Sequence, residues 1–279
     1  MHATSDSSIV SVTLFMRTTV SPTANFTSVL PHSQVSYASS TMFDEAIVVC
    51  LAELAGAGSN LILLCTVATA MRNCAEWVIT FWAVHLVGAV AVSVNGWLPV
   101  KPLMHCLTIT SAKVIIVDPE RAARIASHIS ELRVGTSILV AAAGGPQPRL
   151  HHGMASFDAV ISQYRGPPEA WRSEPEVALD DNATIFFTSG TTGMPKGVLS
   201  SQRAFMHGYM VNNFSRDRMM LHFGLPAVPH PTPKDQNAQM GLGVPLMHVT
   251  GCGSALMSAT YMGFKLVLMR KVSYHTSSV

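Results

Sequence analysis

Charged residues are scarce in this chain, and neither sign dominates. Among its 279 residues, 18 lysines and arginines stand against 16 aspartates and glutamates, so the net charge is only +2. The basic residues are scattered and do not form the cluster that is typical of nucleic-acid-binding proteins, so we expect no nucleic-acid partner. Hydrophobic residues make up 48% of the chain, which is enough to bury a core in one large domain or two modest ones.

Cysteine is sparse as well, and its number and spacing argue against a disulfide framework. No C-x-x-C pair occurs and the number is odd, which fits a reducing compartment. The N-terminus has no cationic stretch before a long apolar core, and the last three residues are not the peroxisomal address. The sequence therefore predicts a cytoplasmic location. The five cysteines are Cys50, Cys65, Cys74, Cys106 and Cys252.

Only one apolar run, residues 78–94, approaches the length of a membrane span. Gly88 divides this run into a helix-like half and a half rich in β-branched residues. This division favours a buried helix followed by a buried strand. A membrane helix is the alternative interpretation, and we expect no membrane partner.

The rest of the chain alternates between helical and extended patterns. Residues 1–42 are rich in serine and threonine and predict an irregular leader. A helix is predicted from Phe43 to Leu54, ending at the glycines of residues 56–58. Alternating helices and strands predict an α/β fold with a mostly parallel sheet flanked by helices. The predicted helices are 75–87, 101–110, 119–132 with Asp118 as N-cap, and 156–164; the strands are 89–94, 113–117, 137–143 and 183–187.

Residues 184–201, TIFFTSGTTGMPKGVLSS, combine a short apolar strand with a loop suited to phosphate. Glycines let the backbone approach an anion closely, and consecutive N–H groups can surround phosphate oxygens, with hydroxyls and an ammonium completing the cage. A glycine-rich turn between strands is the alternative interpretation. The pattern differs from the Walker loop because Gly197 follows Lys196 and the next residues look extended. The candidate groups are Thr188, Ser189, Gly190, Thr191, Thr192, Gly193, Lys196 and Gly197.

The segment FFTSGTTGMPKGVLSS resembles the signature phosphate loop of the AMP-forming adenylating superfamily, and of its acyl-CoA synthetases in particular. Two other segments agree with this resemblance. Residues 71–99 are similar to the family's N-x-x-E-W region, and residues 245–251, PLMHVTG, resemble its P-L-F-H-x-x-G segment. The resemblance covers about residues 43–271 and implies a partial N-terminal domain of an acyl-CoA synthetase-like fold.

His248 stands in the PLMHVTG segment. Taken alone, a histidine is more often a core or surface residue than a functional one. The resemblance reverses this preference and implies that His248 lies beside the carboxylate, while Lys196 acts on the outer phosphates. His248 and Cys252 are four residues apart, but VTGCG is too glycine-rich for a helix and no second ligand pair follows, so we predict no structural metal.

The resemblance implies a reaction in two steps. A carboxylate, from a fatty or an aryl acid, attacks the α-phosphate of ATP to give an acyl-adenylate, and CoA then displaces AMP to form a thioester. Mg²⁺ and lysine would stabilise the developing charge. ATP, Mg²⁺ and CoA are therefore the expected cofactors and co-substrates.

The chain departs from the family pattern near its end. The resemblance leads us to expect an adenine-binding strand, a Y-G-x-T-E segment and a C-terminal domain with a catalytic lysine, and none of these occurs before Val279. We therefore expect residues 43–279 to form a partial AMP-binding domain, without the C-terminal domain and with impaired activity. The alternative hypothesis is a non-catalytic fragment that binds nucleotide phosphate weakly.

Overall fold

The computed structural model of the protein describes residues 9–13, 65–163, 177–189, 193–226, 239–262 and 264–269. Within them, ten strands form two sheets. In chain order the strands are β1 (Ile9–Thr13), β2 (Thr66–Ala70), β3 (Val90–Ser93), β4 (Val114–Val117), β5 (Ser137–Val140), β6 (Met154–Ser156), β7 (Asn182–Thr188), β8 (Lys196–Ser201), β9 (Gln239–Leu242) and β10 (Lys265–Met269).

The larger sheet has seven strands in the order β6-β5-β4-β2-β3-β7-β8. All neighbouring pairs are parallel except β7 and β8, which are antiparallel. The smaller sheet has the order β1-β10-β9, with β1 antiparallel to β10 and β10 parallel to β9. The predicted α/β class with a mostly parallel sheet is confirmed.

Helices cover both faces of the larger sheet, and each face has its own hydrophobic core. On one face, Trp77, Phe81, Phe157 and Tyr209 are buried; on the other, Leu103, Leu107 and Ile125 are buried. The helices are α1 (Ala75–Leu86), α2 (Val100–Ile109), α3 (Pro119–Ile125), α4 (Phe157–Gln163), α5 (Gln202–His222) and α6 (Met257–Met262), with a 3₁₀-helix at Ala126–Glu131 and a π-helix at Thr250–Leu256.

The apolar run 78–94 divides as the sequence predicts. Helix α1 ends at Leu86, Gly88 adopts a positive φ of 71°, and strand β3 begins at Val90. Among the described helices, none combines the length and the apolar character that a membrane span needs. The run therefore belongs to the core of the α/β fold.

Several other predicted elements are confirmed, with small shifts at their ends. The Asp118 carboxylate caps helix α3, because its Oδ1 accepts a hydrogen bond from the Arg121 N–H at 3.0 Å. The predicted helix 119–132 continues beyond Ile125 only as a 3₁₀-helix. The predicted leader 1–42 contains the strand β1 and is therefore not irregular throughout. The helix predicted from Phe43 to Leu54 lies outside the described residues.

The central strand β2 and the long helix α5 were not predicted from the sequence. The central strand β2 contains only threonine, valine and alanine, so no large apolar residue marks it. Helix α5 is 21 residues long but buries only Tyr209 among its side chains, so it lacks the apolar stripe from which helices are predicted. The description of VTGCG as too glycine-rich for a helix is wrong, since Thr250–Leu256 forms a π-helix that packs against α5 and α6.

His85 lies in an aromatic cluster between α1 and α5. The centroid of its ring is 4.6 Å from that of Phe81 and 6.1 Å from that of Phe205. Burial lowers the pKa of His85 from its ordinary value of 6.5 to about 4, because a charged ring would lose its hydration here. The folded protein therefore favours the neutral ring.

We expect this burial to make stability fall as the pH decreases from about 6.5 to about 4, since only the unfolded chain protonates His85 in that range. His85→Phe keeps an aromatic ring and should reduce the loss by about 1 to 3 kcal/mol. Burial raises the pKa values of Glu76 and Asp158, which makes stability rise as the pH falls. This contribution should be the same in the wild type and in His85→Phe. Urea denaturation at both ends of the range measures the difference, and an identical pH dependence would contradict the prediction.

Candidate active site

The candidate site is built on one edge of the larger sheet. Strands β2, β3, β4 and β7 are parallel neighbours, so their carboxyl ends meet at the same edge. The chain passes from β2 to β3 on one side and then returns to β4 on the other side of β2. Ligands of open α/β sheets bind at this type of reversal, outside the carboxyl ends of the strands.

The loop with the phosphate-binding pattern connects β7 to β8 at this edge. Thr188 and Lys196 face each other as the last pair of the two strands, and the Thr188 hydroxyl donates to the Lys196 carbonyl at 3.5 Å. The side chains of Thr188, Ser189 and Lys196 are exposed. Among the described residues the Lys196 ammonium has no ion-pair partner, so its charge is open to a ligand.

The glycines of the loop have different structural roles. Gly193 adopts a positive φ of 84°, which a glycine accommodates without strain. Gly197 lies inside β8 opposite Phe187, and a Cβ there would be 3.0 Å from Ile185 Cγ2. The sequence indicated that Gly197 exposes the backbone to phosphate, and the structure adds a packing requirement for it. Gly190, Thr191 and Thr192 lie outside the described residues.

Helix α2 supports the base of the loop through His105. The His105 Nε2 donates to the Pro195 carbonyl at 3.2 Å, directly before Lys196. Pro195 is buried, whereas Lys196 is exposed. The sequence analysis did not select His105, and no local pattern distinguishes it from other histidines, because this contact spans 90 residues.

The second predicted segment, residues 245–251, forms a tight turn that leads into the π-helix. The His248 N–H donates to the Pro245 carbonyl at 3.2 Å, and the Cys252 N–H donates to the His248 carbonyl at 2.9 Å. Leu246 and Cys252 are fully buried, whereas His248 is exposed. We call residues 244–252 the His248 turn.

Asn73 connects the His248 turn to the edge of the sheet. It follows β2, and its side-chain amide donates to the Val244 carbonyl at 2.9 Å while its Oδ1 accepts from the Leu246 N–H at 2.9 Å. Asn73 is the asparagine of the N-x-x-E-W segment, and the resemblance implied no role for it. Glu76 and Trp77 of the same segment are buried in α1, with exposed fractions of 4% and 1%, and belong to the core.

A buried ion network holds Arg72, the residue directly before Asn73. The Arg72 N–H and Nε donate to Asp118 Oδ2 at 3.1 and 3.2 Å, and Arg121 Nη1 donates to the same oxygen at 3.1 Å. Asp118 and Arg121 are almost completely buried. The network therefore joins the carboxyl ends of β2 and β4.

Together these contacts place two distant sequence segments at one sheet edge. Strand β7 is separated from β2 by β3 alone, and neighbouring strands lie about 4.8 Å apart, so β2 and β7 are about 10 Å apart across the sheet. No group of three metal-binding side chains occurs within the part of the chain that the structure describes. Burial raises the pKa of the Cys252 thiol well above its ordinary value, which favours the neutral thiol.

The fold and the phosphate-loop segment define an α/β protein built like the N-terminal domains of adenylating enzymes. The AMP-binding enzyme family model matches residues 64–278. The chain belongs to this family, within the AMP-forming adenylating superfamily.

Comparison with known proteins agrees with this assignment. The chain is 26% identical to 4-coumarate–CoA ligase 2 of Oryza sativa subsp. japonica over 71% of its own length and 33% of the ligase. It is 28% identical to 2-succinylbenzoate–CoA ligase of a Geobacillus strain over 73% of its own length and 33% of that ligase. The solved red-emitting luciferase of Phrixothrix hirtus matches with a TM-score of 0.66 at 20% identity, over 88% of this chain and 43% of the luciferase, and shows the fold. The chain thus spans about a third of the length of these curated relatives.

Proposed function

We propose that the chain takes part in ATP-dependent activation of a carboxylate, in which an acyl-adenylate forms and CoA then takes up the acyl group. The observation that carries the proposal is that two segments lie at the same carboxyl edge of the sheet: the loop, which follows β7, and the His248 turn, which the two hydrogen bonds of Asn73 hold beyond the end of β2. Family membership supports the reaction class. Because the chain spans about a third of its curated relatives, the activity of the whole protein is part of the proposal.

In this proposal the β7–β8 loop binds the phosphates of ATP. Exposed hydroxyls and one unpaired ammonium are suitable donors for phosphate oxygens. Lys196 would neutralise the outer phosphates, and His248 would lie beside the carboxylate. The phosphate-binding residues would be Thr188, Ser189, Gly190, Thr191, Thr192, Gly193, Lys196 and Gly197.

The proposal also includes Mg²⁺ as a cofactor and CoA as a co-substrate, as the family resemblance implies. Mg²⁺ prefers oxygen ligands and commonly binds through one or two carboxylates together with phosphates. At the described edge the buried carboxylate of Asp118 is already bonded to Arg72 and Arg121, so the fit to Mg²⁺ is poor there. We therefore assign no Mg²⁺ ligand and no step to these residues.

The relatives' names suggest acids to test. Two relatives are named as ligases of 4-coumarate and of 2-succinylbenzoate, which are aromatic acids, whereas others are named for malonate and for long-chain fatty acids. We propose an aryl acid as the first substrate class to test, with fatty acids second. A panel of both classes, followed by pyrophosphate release, distinguishes them.

Replacing Lys196 with alanine tests the assignment of the loop. Loss of one charge-assisted contact costs about 1.5 to 3 kcal/mol, so the Kd for MgATP should rise by about 10- to 150-fold. Arg133 is an exposed cation that precedes β5, at the opposite edge of the sheet from the loop, and Arg133→Ala is the control. Calorimetric titration with MgATP gives the affinities, and equal affinities in the two variants would remove the loop from the site.

Pyrophosphate release distinguishes carboxylate activation from non-catalytic binding of nucleotide phosphate. Lys196-dependent MgATP binding together with pyrophosphate release from a carboxylate would support activation. Lys196-dependent binding without release from any acid in the panel would favour the non-catalytic binding of nucleotide phosphate.

A further inference from the structure

We propose that Asn73 is a positioning residue, which holds the His248 turn in place and thereby orients His248 toward the carboxylate. The proposal rests on the proposed function for the identity of the ligand, but not for the geometry. Asn73 is outside the loop, has no hydrogen bond to those loop residues that the structure describes, and is 8% exposed.

The chemistry of the contact requires an amide. One end of the Asn73 side chain donates to the Val244 carbonyl and the other accepts from the Leu246 N–H, both at 2.9 Å. Only a group with a donor and an acceptor on the same carbon satisfies both partners. Aspartate has the same shape but would place a carboxylate oxygen against the Val244 carbonyl oxygen.

The residues on both sides of Asn73 are themselves held by buried contacts. The preceding residue, Arg72, is bonded through its backbone N–H and its guanidinium to the fully buried Asp118. Asn73 is followed directly by Cys74 and helix α1, which is buried along most of its length. The Asn73 side chain therefore holds at the sheet edge a segment that lies 171 residues further along the chain.

The held segment is short, and His248 is its exposed member. Leu246 and Met247 are buried on one side of His248, and Gly251 and Cys252 are buried on the other. His248 is also fixed through its backbone at Pro245 and Cys252. Displacement of Val244 and Leu246 would therefore move His248 directly, whereas the β7–β8 loop has its separate support from His105.

The test compares Asn73→Asp with wild type in the full chain. Asn213→Asp is the matched control, because the Asn213 amide donates to the Tyr209 carbonyl within the same helix, α5, and does not join two distant segments among the described residues. In Asn73→Asp, kcat/KM for the carboxylate should fall by about tenfold or more, while KM for ATP changes by less than about twofold. Amide exchange at residues 244–252 should accelerate by about tenfold or more, with β4 unchanged. The ring signal of His248 in the NMR spectrum should shift.

The outcomes separate the positioning role from a purely structural one. Uniform acceleration of exchange in β2, β4 and the His248 turn would make Asn73 a general stabilising residue and overturn the proposal. An unchanged turn and an unchanged His248 signal would overturn it as well. If Asn73→Asp does not fold, Asn73→Ala is compared by the same exchange measurement.

Failure of the proposed function is recognised in the wild type alone. A wild-type chain that neither binds MgATP nor releases pyrophosphate would contradict the proposed function. The exchange rates and the His248 signal would still decide whether Asn73 holds the turn.

Discussion

Replacing Gly251 with alanine is expected to destabilise the protein by about 2 to 4 kcal/mol. A Cβ on Gly251 would lie 2.1 Å from the Pro245 carbonyl oxygen and 2.6 Å from its carbonyl carbon. Both atoms belong to the backbone, so relief requires movement of the His248 turn and not of a flexible side chain. Gly251 is buried next to Cys252, which leaves no open direction for that movement.

Gly208→Ala is the matched control for this substitution. Gly208 lies within α5, and a Cβ there would meet no atom within 4 Å. Alanine should stabilise this helix by up to about 1 kcal/mol. Guanidinium denaturation measures both variants. A Gly251→Ala protein as stable as wild type would show that the turn does not approach Pro245 as closely as described.

Gly251→Ala should also loosen the His248 turn locally, beyond its effect on the free energy of unfolding. If the His248 turn moves, exchange at its amides should increase while MgATP binding at the β7–β8 loop is retained under folding conditions. The same measurement connects this prediction to Asn73, because both residues hold the turn from different sides.

Replacing Asp118 with alanine is expected to destabilise the protein by about 3 to 5 kcal/mol. The Asp118 carboxylate is fully buried and accepts hydrogen bonds from Arg72 and from Arg121, which is 1% exposed. Its removal leaves the buried Arg121 guanidinium with Glu120 as its one ionic partner in the described part of the chain, beside the Gly96 carbonyl and the face of the Trp97 ring. Helix α3 also loses its N-cap.

Asp180→Ala provides the comparison for Asp118→Ala. Asp180 is paired with Arg203 through Nε at 2.9 Å, but both side chains are exposed. Exposed pairs contribute little because solvent screens them, so no measurable change in the denaturation midpoint is expected. Similar losses in the two variants would mean that burial does not determine the strength of the Asp118 network.

The local features of the site could be predicted from the sequence because they depend on neighbouring residues. The apolar residues before Thr188 predicted the strand β7, and the glycines predicted the following loop. Asp118 before Pro119 predicted a helix N-cap, which is confirmed. Strand β2 was not predicted, because its small side chains are buried by their neighbours in the sheet and not by an apolar pattern of their own.

Contacts between distant segments had no sequence signal. His105 at Pro195 and Asn73 at Val244 span 90 and 171 residues, so no local spacing could indicate them. The π-helix at Thr250–Leu256 forms despite its two glycines, because α5 and α6 pack against it. Tertiary packing here outweighs helix propensity.

The sequence alone determined the alternation of strands and helices, and with it the mostly parallel sheet, because hydrophobic periodicity and capping act within a few residues. It also determined the type of loop that follows β7. Only the tertiary structure decided the strand order and the placement of the loop and the His248 turn at the same edge of the sheet. The physical reason is that the carboxyl ends of parallel strands gather at one edge, where the amide of Asn73 joins segments that the chain itself keeps far apart.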